Sequence, residues 1–191
     1  MAERFYTHLK KFIEFSDEEF TEMLPYFDLK NLTKKDHLMQ AGESCHANYF
    51  VLSGCLHLYF LDEKGIEKTV QFGIENWWVT DYLAFYHQKT TDFYLQAVED
   101  SEVLIIDFKQ QQELFKKHPK LEQYFRHIYQ IAYGAATMRM KYIFDYSKEE
   151  IFFRFQELFP EFVQRVPQYM VATYLGLTPE YLSEIKRKKR S

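Results

Sequence analysis

Residues 167–190 read PQYMVATYLGLTPEYLSEIKRKKR, and this stretch decides how the rest of the chain is read. From Gln168 onward, apolar side chains fall at Val171, Leu175, Leu177, Leu182 and Ile185, as on two short helices that bury a common face. Ala172 sits where two helices must approach closely. Gly176 stands where a tight turn between them needs positive φ, which glycine adopts without steric cost. Thr178 supplies an N-cap oxygen and Pro179 a first helical residue with φ already set. A short helix, a tight turn and a capped second helix form the arrangement that lays its second helix in the DNA major groove. An amphipathic hairpin that merely packs would share the apolar spacing, but it would not need the small residue, the glycine and the cap together.

The charge pattern favours the same reading. Lys186, Arg187, Lys188, Lys189 and Arg190 are five cations among the last six residues, on a chain whose net charge is −4. Without them 19 Lys and Arg face 28 Asp and Glu, so residues 1–185 carry −9. A cationic patch confined to the end of a recognition helix, on an acidic body, suits contact with phosphates. The residues expected to face DNA are Thr178, Pro179, Glu180, Tyr181, Ser183, Glu184 and Arg187. Lys186, Arg187, Lys188 and Arg190 are assigned to phosphates, with Gln168, Tyr169 and Thr173 on the first helix also meeting the backbone. A carboxylate at Glu180 can accept from cytosine N4, whereas Glu184 cannot donate to guanine. No β-wing is expected after the second helix.

The 191 residues are 47% hydrophobic and 19% aromatic, with 19 Phe and 15 Tyr, enough for a substantial core. No apolar run approaches the roughly 20 residues of a membrane helix, and the start, MAERFYTHLKK, lacks the apolar stretch of a secretion signal. A cytoplasmic protein without a membrane partner is expected. Cys45 and Cys55 are too few for a disulfide scaffold or an all-cysteine iron–sulfur cluster, and read as small, partly buried hydrophobes. His57 and His87 lack paired metal-ligand spacing, so no metal and no cofactor are expected. There is no Gly-rich phosphate loop and no nucleophile elbow, which argues against an enzyme.

Residues 1–24 read as helical, with Phe5, Leu9, Phe12 and Ile13 on one face, and Ser16 with Glu19 forms a capping-box signature before a second helix ending near Pro25. Between Asp28 and Asp107 the pattern turns to short strands: from His37, over Tyr49–Leu52, Cys55–Leu61, Glu67–Phe72, Tyr94–Val98 and Val103–Ile106. Turns fall at Gly42, at Ser53-Gly54 and at Asp62–Gly65. Such spacing argues a β-roll or jelly-roll barrel. After Lys109 the period becomes helical, and Leu121, Phe125, Ile128, Ala132, Ala135 and Tyr142 form a seam interrupted only by Arg139. Tyr124, Ile131 and Met138 make a second apolar row, and Gly134-Ala135-Ala136 permits close approach. A helix with two such rows can lie on its own barrel along one and meet a partner subunit along the other. Ser147–Leu158 reads as a further helix and Phe159-Pro-Glu as the start of a linker.

Helical N-terminus, β-roll, long helix and terminal helix-turn-helix, in this order, resemble the Crp/Fnr family of regulators across essentially the full chain. The local matches are Gln40-Ala41-Gly42-Glu43, YFVLSGCLHL at Tyr49–Leu58, the Asp62–Gly65 hairpin and Val166–Arg187. The resemblance implies an α+β fold in three parts: a cyclic-nucleotide-binding-like sensor domain over 1–115, a dimerisation helix over 116–146 and a DNA-binding domain over 147–191. It also implies a homodimer on a two-fold symmetric operator in double-stranded DNA, with RNA polymerase as a further partner. A module that senses a small molecule and signals through protein contacts is the alternative, motivated by the acidic body and Glu184.

The sequence departs from the family in the effector pocket. Cyclic-nucleotide binders of the family hold the phosphate with a Gly-containing cassette and an Arg-Ser/Thr-Ala triplet. The matching stretches here are Trp78-Val79-Thr80-Asp81-Tyr82-Leu83 and Lys89-Thr90-Thr91-Asp92-Phe93. Thr80 replaces the glycine, Thr91 the arginine, and Asp92 brings a carboxylate; Lys89 restores a cation only if the loop slips by two residues. The site at Trp78, Thr80, Asp81, Tyr82, Thr91 and Asp92 is therefore expected not to hold cyclic AMP, leaving an unidentified small molecule as effector. Trp77, Trp78, Tyr82, Phe85, Tyr86, Phe93 and Tyr94 crowd this region, either as barrel filling or as an aromatic pocket.

Overall fold

The computed structural model describes residues 2–190, with the side chains of 3–188. The chain forms two compact units, one of residues 1–60 and 71–131, the other of residues 61–70 and 132–191.

The first unit opens with α1 (Ala2–Leu9) and α2 (Asp17–Met23). The capping box read from the sequence is formed: Ser16 Oγ accepts from Glu19 N while Glu19 reaches back to Ser16 N. Eight strands follow: β1 (Asp28–Leu32), β2 (His37–Met39), β3 (Ala47–Ser53), β4 (Leu56–Leu61), β5 (Glu67–Gly73), β6 (Trp78–Val79), β7 (Tyr94–Ala97) and β8 (Ser101–Asp107), with α3 (Tyr82–His87) between β6 and β7. They pair in the orders β1-β8-β3-β6 and β2-β7-β4-β5. These interleaved orders make a jelly roll. Strands β1 and β6 escaped the sequence reading. β1 shows solvent four of its five residues, and β6 is only two residues long.

The roll packs on helices through one face of the first sheet. Phe50, Leu52, Leu104 and Ile106 meet Phe5, Leu9, Phe20 and Met23 from the N-terminal helices. Leu114 joins them from α4 (Phe108–Lys117), and Leu121, Tyr124 and Phe125 from α5 (Lys120–Asp145). A buried chain of polar groups ties this core: Trp78 Nε1–H donates to Tyr124 OH at 2.8 Å, and Tyr124 OH lies 2.9 Å from His8 Nδ1. At Gly54 (φ +94°) the turn runs so close to Ser101 that a Cβ would lie 2.2 Å from its hydroxyl oxygen.

The second unit holds the tip of the β4–β5 hairpin, the latter half of α5, and α6 (Lys148–Leu158), α7 (Pro160–Arg165), α8 (Gln168–Tyr174) and α9 (Pro179–Arg190). The tip is the expected turn, with Gly65 at φ +74° and its N–H donating to Asp62 O at 2.8 Å. Ser147 caps α6 through a complete capping box with Glu150. The segment expected to be a linker is instead α7, with Pro160 in its first turn and Val163 buried.

Candidate nucleic-acid interface and sensor site

Helix α8 ends as the sequence requires. Gly176 takes φ +73°, its N–H donates to Thr173 O, and Leu177 N–H reaches Ala172 O at 2.8 Å, the pair of bonds of a Schellman turn. Thr178 then opens α9, its Oγ1 accepting from Tyr181 N at 3.2 Å. Val171, Ala172, Leu175, Leu177, Leu182 and Ile185 are all buried, so the five apolar positions and the small residue hold the two helices together. Burying a leucine or isoleucine of this kind contributes about 2 kcal/mol.

The opposite side of α9 is open. Thr178, Glu180, Tyr181, Ser183, Glu184, Arg187 and Lys188 are exposed and Pro179 half-buried, with Gln168 and Tyr169 exposed on α8. Ser183 turns its hydroxyl back to Pro179 O at 2.9 Å. Glu184 and Lys188 form an i,i+4 ion pair at 2.9 Å, which holds the Glu184 carboxyl below its usual range. Two expected phosphate contacts are corrected. Lys186 is half-buried, with its ammonium 5.7 Å from the centre of the Phe152 ring, on the packed side of α9. Thr173 is buried at 8% exposure. The side chains of Lys189 and Arg190, the latter also assigned to phosphate, lie outside the described residues.

Arg139, the residue that breaks the seam on α5, has no carboxylate partner among the described residues. Its Nε donates to Tyr174 O at 3.0 Å, a second N–H donates to Val70 O, and the guanidinium lies 4.1 Å from the centre of the Tyr174 ring. Burial pulls its pKa down from the ordinary value.

The seam itself divides. Leu121 and Phe125, expected at a subunit interface, are 1% and 2% exposed inside the core of the first unit and are not available to a partner. Ile128 is also packed on that core, and Tyr124 of the second row is fully buried. Past Ile131 the helix surface opens: Ala135 is exposed, Ala132 and Tyr142 half-buried, and Ile131, Tyr133, Met138, Met140, Ile143 and Phe144 all show large apolar surfaces.

In the sensor site the structure brings together Thr80, Asp81, Tyr82 and Thr91. Asp81 caps α3, its Oδ1 accepting from Leu83 N at 3.2 Å and Ala84 N at 3.1 Å, while Thr91 Oγ1 donates to its other oxygen at 2.8 Å. Thr91 Oγ1 in turn accepts from Phe93 N. Thr80 Oγ1 donates to Ala47 O at 2.8 Å and lies 3.3 Å from Cys45 Sγ, whose thiol is pushed up by burial. Tyr82 OH donates to Trp78 O. A carboxylate thus caps the start of α3, and Thr91 fastens it there. Trp78 does not line this site: it lies in the helix-facing core at 2% exposure. Asp92 and Lys89 are exposed, outside the Asp81–Thr91 pair. Cys45 and Cys55 are both buried, at 2% and 0% exposure, more fully than expected. Among the described residues no three metal-liganding side chains come together, and no helix is long and apolar enough to cross a membrane.

Residues 29–118 match the cyclic nucleotide-binding domain family. No curated protein sequence matches the chain. Solved structures do. The chain is similar to CLP of Xanthomonas campestris, a c-di-GMP responsive global regulator, at 14% identity and TM-score 0.72, over 92% of each chain. FixK2 of Bradyrhizobium japonicum gives 14% identity and TM-score 0.69, over 85% of this chain and 83% of that one. The Thermus thermophilus catabolite activator protein gives 18% and 0.59, over 95% and 85%. These likenesses show that the chain shares the α+β fold of those three structures, with roll, long helix and terminal helices.

Proposed function

We propose that this chain is a DNA-binding transcription regulator of the Crp/Fnr type, acting as a homodimer that reads a two-fold symmetric operator through α9. The observation that carries the reading is the outward side of α9, where Glu180, Tyr181, Arg187 and Lys188 stand exposed on a capped helix that a Schellman turn joins to α8. The exposed apolar surface of α5 past Ile131, with Tyr133 at 76% and Phe144 at 82%, supports pairing with a second copy. Glu180 and Tyr181 read base edges, Arg187 and Lys188 hold phosphates, and RNA polymerase is the protein partner the dimer would meet at a promoter. The sensor roll does not use cyclic AMP, because Asp81 and Thr91 close the anion site on each other. The carboxylate that favoured a purely protein-signalling module, Glu184, is offset by Lys188.

Selection of bound sequences from a random duplex pool tests the reading. The expected product is a palindrome with half-sites about one helical turn apart. Replacing Arg187 and Lys188 by alanine should weaken binding on every sequence and flatten the salt slope by about 0.9 per lost contact. Titration with cyclic AMP should give no binding heat. Recovery of no enriched sequence by a folded, dimeric protein would overturn the proposal.

A further inference from the structure

We infer that the β4–β5 hairpin is a strap that competes with the DNA backbone for the first helix of the helix-turn-helix, and that Arg139 is the residue that positions it. This rests on the DNA reading proposed above and concerns the regulation of that site. Residues 61–70, at the hairpin tip, belong to the same compact unit as α8 and α9. Thr69 N–H donates to Thr173 Oγ1 at 3.3 Å, and the two threonine hydroxyls lie 3.3 Å apart. Tyr169 OH donates to the Glu67 carboxylate. Arg139 fastens the arrangement from α5, binding Val70 O in the hairpin and Tyr174 O at the end of α8. A guanidinium there meets the negative end of the helix.

Tyr169 is the exposed α8 side chain expected to meet a phosphate run, and the hairpin holds it through Glu67 while Thr69 covers Thr173 beside it. A phosphate cannot take a site where a carboxylate already stands, so the docked hairpin and the duplex exclude each other. The contact is releasable. It consists of a few hydrogen bonds, and Glu67 Oε2 is buried without a partner among the described residues, so undocking restores its hydration. Strands β4 and β5 run from this tip into the sensor roll, so a change in the roll that shifts them also moves the strap.

A reversible cross-link tests the strap. Cysteines introduced by Thr69→Cys and Thr173→Cys take the places of two hydroxyl groups 3.3 Å apart, and the native Cys45 and Cys55 are too buried to compete. The oxidised protein should bind the selected duplex about ten-fold more weakly than the same protein after reduction, within the range of ordinary coupling between sites. Glu67→Gln, which keeps the shape and removes the charge, should bind more tightly than wild type. Equal or tighter binding by the oxidised form would overturn the strap and leave the DNA reading standing. Failure of the two thiols to join under oxidant would overturn the strap as well. Absence of duplex binding by wild type, reduced double variant and Glu67→Gln alike would overturn both.

Discussion

At Gly54 the chain turns at φ +94° with Ser101 directly above it. Ser101 cannot step aside, because its hydroxyl donates to Glu99 O at 2.7 Å and accepts from Cys55 N at 3.2 Å. Gly54→Ala therefore combines backbone strain with a collision, and should cost about 2–4 kcal/mol of stability. The readout is the urea midpoint, which should fall with no change in slope; an unmoved midpoint would refute the account. A glycine after a strand is visible in sequence as a turn, but the serine it admits lies in another strand and is not. The sensor site has the same history. The resemblance sets Thr91 where the family's cyclic-nucleotide binders carry an arginine, an expectation that rests on the sequence alone. That Thr91 fastens the Asp81 carboxylate could not be read there, because two loops must first be brought together. Trp78 was misplaced because an aromatic beside a pocket motif reads the same whichever face of its short strand it occupies.

Elements were legible in proportion to their local signals. The Ser16 capping box, the Asp62–Gly65 turn and the Gly176–Thr178 junction each satisfy their own orphan backbone groups within a few residues, so sequence suffices. Helix α5 shows where periodicity stops short. One apolar row runs from Leu121 to Tyr142, yet its first two turns pack inside the first unit while later turns face outward. The stripe alone cannot say where the surface changes hands. Arg139 was the legible clue, an unpaired cation in an apolar row, and its partners are backbone carbonyls that carry no sequence signature. For α9, removal of the cap by Thr178→Ala should cost about 1 kcal/mol, and Thr178→Ser should restore it. Faster amide exchange at Tyr181 in the alanine variant is the expected sign; unchanged protection there would show that Thr178 caps nothing.

At the scale of the whole molecule, two buried histidines make stability depend on pH. Burial lowers His8 to about 4, and His57 to about 4 despite its 3.2 Å contact with Gln96. In an unfolded chain both would titrate near the ordinary value of about 6.5. The unfolded state thus binds more protons between these limits. Stability is complete above pH of about 6.5, declines as pH falls from there, and its histidine part is lost by about pH 4. The carboxyls of Glu19, Asp36 and Glu150, held below their usual range by a lysine or by backbone and hydroxyl donors, lose their contribution lower still. Urea titrations at pH 7.5 and 5 should show the higher midpoint at pH 7.5, and His57→Gln should narrow the gap. Equal midpoints would remove both histidines from the balance.

The two units are not consecutive in the chain, since residues 61–70 are counted with 132–191. No single scissile point, therefore, liberates the carboxy-terminal module intact. A fragment beginning at Ala132 would leave behind the ten residues that supply Thr69 and Val70, stranding the hydroxyl of Thr173 and one arm of Arg139. Anyone grafting this reader onto a different sensor must transplant the loop with it, or inherit a module whose resting posture has been erased.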